Sequence, residues 1–226
     1  MTQTALILGA SRGLGLALAQ EFLHRGWSVI GTVRGGHTKL HELDGDGRLA
    51  IETLEITDPA SLATLRQRLD GRQIDLLYVN AGISNGQGDR IDQTSTDEFT
   101  KILITNTLSP MRAVEAFESL VPPGGTIAVM SSGLGSVANN TAGGWETYRA
   151  SKAALNTLMR SFAANHPNDS RTVLITAPGW VRTDMGGPNA TLSIEESIPR
   201  LTDTVLSQSG KPGLRYLDYR GQAVPW

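Results

Sequence analysis

The sequence predicts an α/β protein with a mostly parallel seven-stranded sheet that is doubly wound, with helices on both faces. Short apolar runs alternate with longer amphipathic segments, which is typical of successive βαβ units. Several runs, such as 76–79 and 126–130, are apolar throughout, as expected for parallel strands buried on both faces. A glycine-rich turn joins the first run to a helical pattern, which is where such folds begin their first βα unit.

Each element can be assigned from its apolar pattern and its flanking turns. The strands are expected near 4–8, 28–33, 49–55, 75–79, 125–131, 172–177 and 214–218. The helices are expected at about 13–25, 59–69, 95–119, 146–165 and 194–208. No linker, low-complexity stretch or repeat divides the sequence. We therefore expect residues 1–226 to form one domain with a substrate cleft of its own.

Composition excludes several classes of function. The chain of 226 residues has a net charge of −2 without a basic block, so neither nucleic acid nor an anionic membrane surface is an expected partner. It has no cysteine, which excludes disulfides and thiolate catalysis. His37 and His41 lie close together, but no third ligand is evident, and we expect no metal. Without a secretion signal or a long apolar span, a cytoplasmic location is expected.

Tyr148 and Lys152 form the first candidate catalytic pair. Their spacing of four residues, within a predicted helix, places a phenol and an ammonium on one face. A neighbouring cation favours the phenolate, and we expect it to lower the pKa of Tyr148 toward neutrality. Such a pair can exchange a proton with an oxygen whose carbon exchanges a hydride.

The first turn predicts a nucleotide site. It reads Gly9-Ala10-Ser11-Arg12-Gly13-Leu14-Gly15, and its glycines allow the backbone to approach a ligand closely. The helix that follows offers free N–H groups and a positive dipole end, which suit a diphosphate. The alternative is a tight turn that binds nothing, but the position between an apolar strand and a helix favours the nucleotide.

Charge at the end of the second strand favours NADP over NAD. That strand ends in Arg34, and no acidic residue follows until Glu42. An acid at the strand end commonly binds the ribose of NAD, whereas an arginine can bind a 2′-phosphate. Arg12 can approach the same phosphate from the glycine turn. Either arginine could instead be an ordinary solvated charge.

These motifs together resemble the short-chain dehydrogenase/reductase family, with a weaker likeness to its C-factor-like branch of small carbonyl reductases. The glycine turn matches the family spacing GxxxGxG, and Asn80-Ala81-Gly82 matches its Asn-Ala-Gly signature. The resemblance implies a Rossmann-type domain that binds a nicotinamide dinucleotide. Where the family carries Asp-Val-Thr-Asp near the adenine, this chain has Glu55-Ile56-Thr57-Asp58. We therefore expect Asp58, Glu55 or a backbone group of this segment to take that role.

The resemblance also implies a catalytic tetrad. Its members here are Asn106, Ser132, Tyr148 and Lys152. Ser131 is the alternative to Ser132. Pro110, four residues after Asn106, cannot donate an N–H to the carbonyl of Asn106, so the helix should bend there and leave that carbonyl free for a water.

The segment Pro178–Met185 resembles the family loop that meets the nicotinamide. The cofactor site that the motifs and the resemblance imply consists of Gly9, Ser11, Arg12, Gly13, Leu14, Gly15, Arg34, Asp58, Asn80, Ala81, Gly82, Tyr148, Lys152, Pro178, Gly179, Val181 and Thr183. We expect the substrate cleft to be lined by loops near 84–94, 133–145 and 184–193. Candidate substrate contacts are Gln87, Asn139, Trp145 and Met185.

The sequence thus predicts an oxidoreductase that transfers a hydride between NADP(H) and a small carbonyl or alcohol substrate. In this prediction Tyr148 is the general acid, Ser132 holds the oxygen, and Lys152 and Asn106 assist. The family commonly forms dimers through the two helices that correspond to 95–119 and 146–165 of this chain. The resemblance therefore implies a homodimer or homotetramer. Two alternatives stay open at this point, a non-catalytic dinucleotide sensor and a pteridine-directed reductase.

Overall fold

The computed structural model describes residues 2–86 and 88–226, and its centre is a seven-stranded sheet in the order β3-β2-β1-β4-β5-β6-β7. Every pairing between neighbouring strands is parallel. The strands are Thr4–Leu8 (β1), Ser28–Val33 (β2), Leu49–Thr53 (β3), Leu76–Val79 (β4), Thr126–Met130 (β5), Thr172–Ala177 (β6) and Gly213–Asp218 (β7). The doubly wound fold predicted from the sequence is confirmed, and the sheet is parallel throughout.

Helices cover both faces of the sheet. They are Gly13–His24 (α1), Pro59–Arg68 (α2), Thr96–Leu103 (α3), Ser109–Phe117 (α4), Glu146–Asn165 (α5) and Ile194–Ser207 (α6), with short 3₁₀ turns at Lys39–Glu42, Glu118–Leu120 and Gly133–Gly135. Helix ends follow local sequence signals. Asp58 caps α2 ahead of Pro59, and Ser193 with Glu196 forms a capping box at the start of α6.

Alternation along each strand divides the core into two apolar layers. In β1, Leu6 and Leu8 face the layer that contains α2, α4 and α5, whereas Ala5 and Ile7 face α1 and α6. The side chains of a strand point alternately to the two faces of a sheet, so a central strand buried on both sides must be apolar at every position. The uninterrupted apolar runs noted in the sequence follow from this arrangement.

The order of the strands places one crevice at the centre of the sheet. The chain runs outward from β1 through β2 to β3 and then returns to β4 on the other side of β1. At such a switch point the connections after β1 and β4 leave in opposite directions, and a cleft opens at the carboxyl ends of these strands. The glycine turn follows β1 and Asn80 follows β4, so the two motifs meet there.

The predicted helix 95–119 is interrupted rather than continuous. Between α3 and α4 lies a π-helical turn, Ile104–Leu108, which contains Asn106 and ends two residues before Pro110. Pro110 lacks the N–H that an α-helix would use at this point, and a wider turn accommodates that loss. The expected distortion at Asn106 is therefore present, as a π-turn.

The described residues bear on two expectations from the sequence, that the chain has no membrane span and no metal site. Within it no helix is long and apolar enough to cross a membrane. His37 and His41 stack at 5.0 Å between ring centroids beside a short 3₁₀ turn, and no group of three or more possible metal ligands occurs among the described residues.

Candidate active site

A cleft of about 1170 Å³ opens at the carboxyl ends of the strands. This volume is above the roughly 300–1,000 Å³ of most small-ligand sites, so it suits a dinucleotide together with a substrate. The predicted site residues that line it are Gly9, Ser11, Arg12, Gly13, Leu14, Arg34, Asn80, Ala81, Gly82, Ser132, Tyr148, Lys152, Pro178, Gly179, Val181 and Thr183. Gly15, Asp58 and Asn106 were also predicted, but they lie outside the lining.

Gly15 lies beneath the turn and allows its tight packing. A Cβ at this position would lie 2.0 Å from the carbonyl oxygen of Gly9 and 2.5 Å from the side-chain nitrogen of Asn80. That nitrogen donates to the Gly9 carbonyl at 2.8 Å, which ties the end of β4 to the end of β1. Gly9 itself has a φ of 90°, a left-handed conformation that glycine adopts without strain.

The start of α1 is open to an anion. Its N-cap residue, Arg12, makes no side-chain cap, and among the described residues no acidic side chain lies in the first turn. Helix N-termini carry unpaired N–H groups and a partial positive charge. The protein therefore leaves at the cleft the donors that a diphosphate requires.

Two arginines flank the position expected for a 2′-phosphate. Arg34 follows β2 and is exposed at the cleft wall. Arg12 pairs with Asp184 at 2.9 Å, and both side chains are largely exposed, at 71% and 83%. Exposed ion pairs contribute at most about 1 kcal/mol, so an incoming phosphate can replace Asp184 as the partner of Arg12.

Thr32, which the sequence did not single out, accepts from the Gly9 amide at 2.9 Å.

The structure does not bring Asp58 to the cleft. Its carboxylate is exposed and accepts from the Ala60 amide at 2.9 Å, so its role is to cap α2. The wall near the expected adenine position is formed instead by the segment 54–57. Within it, Glu55 accepts from the amide and the hydroxyl of Thr57. Of the residues left open by the sequence, Glu55 lies at the cleft and Asp58 does not.

Tyr148 and Lys152 lie side by side in the first turns of α5, both buried beneath the cleft. The ammonium nitrogen of Lys152 lies 5.8 Å from the ring centroid of Tyr148 and donates to the Met130 carbonyl at 2.9 Å. A Cβ on Gly82 would approach that nitrogen to 3.4 Å. The glycine of the Asn-Ala-Gly motif therefore lies directly against the lysine at the end of β4.

The expected lowering of the Tyr148 pKa by Lys152 is wrong for this structure. Burial raises the pKa of Tyr148 to about 12, although the nearby Ser132 hydroxyl opposes the rise. Burial likewise lowers the pKa of Lys152 to about 8. Each group loses water around its charged form, and this loss is the main cause of both shifts. Tyr148 is therefore a neutral phenol at physiological pH.

The hydroxyls of Ser131 and Ser132 have different hydrogen-bond partners. The Ser131 hydroxyl is buried and donates to the Asn156 side chain at 2.7 Å. The Ser132 hydroxyl accepts from the Leu134 amide at 3.1 Å and also acts on the pKa of Tyr148. The carbonyl of Ser132 accepts a hydrogen bond from the hydroxyl of Tyr216. The geometry thus favours Ser132 over Ser131 as the hydroxyl that meets a substrate, and it adds Tyr216 as a support that the sequence did not reveal.

Asn106 lies behind the cleft, fully buried in the π-turn. Its side chain accepts from the Ile83 amide at 2.8 Å and donates to the Ile83 carbonyl at 2.8 Å and to the Ser151 hydroxyl at 3.0 Å. Both amide hydrogens are therefore used in holding the segment after β4 against α5. The main-chain carbonyl of Asn106 is a separate group, and Pro110 cannot bond it because proline has no N–H.

The loop after β6 forms the opposite wall. Trp180 and Arg182 exchange backbone hydrogen bonds with Leu192. In extended backbone successive residues point their polar groups to opposite sides, so the N–H and carbonyl of Val181 face away from Leu192. Val181 lines the cleft, and its N–H has no partner among the described residues. Thr183 closes the loop by accepting from the Gly186 amide at 3.0 Å.

The substrate end of the cleft differs in part from expectation. Asn139, Trp145 and Met185 line it, and Gln87 lies outside the described residues. The segment 84–94 contributes no described residue to the lining and instead packs against the start of α5. Tyr219, Arg220 and Val224 near the C-terminus line the cleft as well. No motif identifies these three positions, because only the pairing of β7 with β6 brings them to this edge.

Comparison with known proteins agrees with this geometry. Residues 3–191 match the model of the short chain dehydrogenase family. The chain belongs to the short-chain dehydrogenase/reductase family. It is 34% identical over 155 residues to C-signal of Myxococcus xanthus, which covers 68% of this chain and 93% of that protein. The family is one of oxidoreductases, so the chain carries an oxidoreductase fold together with a cleft suited to a dinucleotide.

Solved structures extend the likeness to the whole chain. A Burkholderia multivorans protein assigned to the same family, solved with bound NADP, has a TM-score of 0.98 and 53% identity, with 100% of both chains covered. A carbonyl reductase from Pseudomonas aeruginosa PAO1 in complex with NADP has a TM-score of 0.92 and 37% identity, again with 100% of both chains covered.

Substituting Gly15 by Ala should destabilise the protein, because the added methyl would collide with the Gly9 carbonyl. We expect the free energy of unfolding to fall by about 3 kcal/mol, the upper part of the usual range for overpacking. Urea denaturation measures it. Gly88→Ala is the matched control, since a Cβ there meets no atom of the described chain within 4 Å. Equal stabilities of the two variants would contradict the proposed crowding.

Proposed function

We propose that this protein uses NADPH to reduce a carbonyl group of a small molecule to an alcohol. One observation carries the proposal. Tyr148, Ser132 and Lys152 line the same cleft as the glycine turn, so a proton donor and a hydride carrier can act on one substrate. The same residues would serve the reverse oxidation, in which Tyr148 would take the proton; burial, which raises its pKa, leaves it in the protonated form from which reduction starts.

The described residues fit a phosphorylated dinucleotide. The turn that Gly15 allows and the uncapped start of α1 suit the diphosphate, and Arg34 with Arg12 suits the 2′-phosphate. We propose that the amide of Val181, which lines the cleft, meets the nicotinamide end. The Burkholderia and Pseudomonas neighbours with bound NADP support the same choice of cofactor. NAD is disfavoured because no acidic residue follows β2 before Glu42.

In the proposed mechanism, the glycine turn and the start of α1 would hold NADPH, which would supply the hydride for the carbonyl carbon. Ser132 donates a hydrogen bond to the carbonyl oxygen and fixes its position. Tyr148 then gives its phenolic proton to that oxygen as negative charge develops on it. Placing both groups before the reaction removes the need for them to find the substrate during it.

Lys152 and Asn106 act from behind Tyr148. We propose that the Lys152 ammonium binds the nicotinamide ribose and stabilises Tyr148 once it has lost its proton. The main-chain carbonyl of Asn106 would hold a water that returns a proton from solvent through Lys152. This role is consistent with the side chain of Asn106, whose hydrogen bonds are taken up by Ile83 and Ser151.

We further propose that residues 1–226 act as one domain with its own substrate cleft, and that the protein assembles as a homodimer or homotetramer. Leu155, Met159 and Phe162 of α5 are buried in the core, whereas Leu158 of the same helix and Leu108 of the π-turn are each 40% exposed. These exposed leucines lie on the elements expected to pair. A dinucleotide sensor would not need the buried phenol and amine of α5, which favours the enzyme.

Replacing Tyr148 by Phe should lower turnover by about 10²–10⁴-fold, because it removes the general acid and leaves the ring. The assay is a panel of aldehydes, ketones and pteridines with NADPH and with NADH. Tyr78→Phe, at a buried tyrosine that bonds Thr176 away from the cleft, is the control for loss of a buried hydroxyl. Full turnover by the Tyr148 variant would refute its role, and a preference for pteridines would replace the carbonyl proposal.

Replacing Arg34 by Ala should weaken NADPH binding about 10- to 100-fold, as expected for the loss of a charged hydrogen bond. The affinity for NADH should stay unchanged, because NADH lacks the 2′-phosphate. Fluorescence titration with both cofactors measures the two dissociation constants. Equal losses for NADPH and NADH would show that Arg34 supports the fold of the cleft rather than the phosphate.

The reduction rate should fall as the pH rises through about 8, where the buried Lys152 loses its proton. The sign follows from the charge, because burial lowers the pKa and the ammonium is the active form at lower pH. In Lys152→Arg the side chain stays charged, so this alkaline decline should disappear even if the rate is lower. A decline that persists in the arginine variant would assign it to another group.

A further inference from the structure

The helix that carries Tyr148 does not cap its own N-terminus. Trp145 occupies the N-cap position with a φ of 55°, in the left-handed region, and makes no side-chain cap. The first N–H groups of a helix have no partner within it, and here Thr147 and Tyr148 are buried. The amides of Thr147 and Tyr148 must therefore find an acceptor elsewhere.

That acceptor is Asp89, which lies in the segment after β4. One carboxylate oxygen accepts from the Thr147 amide at 2.7 Å and from the Tyr148 amide at 3.3 Å. The other oxygen accepts from the hydroxyl of Thr147 at 2.9 Å and from that of Thr94 at 3.0 Å. A residue distant in sequence thus bonds the backbone of the proposed acid.

Asp89 is only 6% exposed, so protein groups rather than water surround its carboxylate. Burial raises the pKa of Asp89, but hydrogen bonds from Asn85, Thr147 and Thr94 outweigh it, and the net pKa is lowered. A carboxylate at a helix N-terminus is also stabilised by the positive end of the helix dipole. Asp89 does not line the cleft, so a role for Asp89 in the reaction does not require contact with the substrate.

We propose that Asp89 is a positioning residue for the reaction, which fixes the first turn of α5 and thereby the direction of the Tyr148 phenol. This inference rests on the proposed function, in which Tyr148 is the acid. Rotation of the first turn would move the phenol relative to Ser132 and the substrate. An error of about 1 Å in such a group can cost about 100-fold in rate.

The chain offers a matched control beside it. Glu146, also in the first turn of α5, accepts from the Ile91 amide at 2.7 Å on the exposed side. It joins the same two segments and carries the same charge, but it does not bond the Tyr148 amide. Removing Glu146 therefore tests loss of the connection, whereas removing Asp89 tests loss of the alignment.

The first experiment compares Asp89→Asn, Asp89→Ala and Glu146→Ala with the unaltered protein. NADPH titration counts the folded binding sites, and turnover is expressed per site with the substrate that the panel identifies. We expect about a tenfold loss in Asp89→Asn, which keeps one acceptor oxygen, and about a 100-fold loss in Asp89→Ala. The KM for NADPH should be unchanged. Glu146→Ala should stay within about twofold.

The second measurement does not depend on activity. Hydrogen exchange of the Thr147 and Tyr148 amides reports on their bonds to Asp89, since neither has an acceptor within the helix. Both amides should exchange about 10- to 100-fold faster in Asp89→Ala, and not in Glu146→Ala. Unchanged exchange in Asp89→Ala would overturn the proposal.

Turnover separates this proposal from the function on which it rests. Loss of turnover in Tyr148→Phe with turnover per site retained in Asp89→Asn would overturn the role of Asp89 alone. Retained turnover in Tyr148→Phe would overturn the proposed function instead. A fall in the number of binding sites with unchanged turnover per site would show that Asp89 only stabilises the fold.

Discussion

The hydrogen bond from the Asn80 side chain to the Gly9 carbonyl fixes the ends of β1 and β4 against each other at the edge of the sheet where the cleft opens. It joins the ends of β1 and β4, from which the chain departs in opposite directions. The bond is possible because Gly15 has no side chain to occupy the space between them. Together with the backbone bonds from the Asn80 and Ala81 amides to the Leu8 carbonyl, this close contact fixes the floor of the cleft.

The end of the cleft that contains the proposed catalytic residues depends on a second set of bonds, in which the segment after β4 is held against α5. Asn106 binds Ile83 and Ser151, and Asp89 binds the start of the helix. Buried polar groups of this kind are costly unless every partner is present, and here the partners come from distant parts of the chain. The segment that leaves the floor of the cleft therefore also orients the phenol above it.

The sequence was sufficient for the strands, most helices and the glycine turn that lines the cleft, because these depend on apolar periodicity and on glycines with a local function. It was insufficient where three-dimensional surroundings decide. Asp58 matched a family pattern but became a helix cap, since the chain turns away from the cleft before it. Asp89 lies in a loop without periodicity, and its partners on α5 are identifiable only once the fold is known. The protonation of Tyr148 likewise depends on burial that spacing does not reveal.

Burial also gives the site its chemical character. Removing water from a phenol and an amine favours the neutral form of each, which leaves Tyr148 a proton donor and brings the pKa of Lys152 close to neutrality. In the proposed mechanism, a proton lost from Tyr148 to a substrate is then replaced from Lys152, which exchanges protons near physiological pH. The same burial that disfavours the phenolate before the reaction makes the lysine a suitable source of the next proton. The proposed pair thus combines two opposite pKa shifts that have one cause, the loss of water.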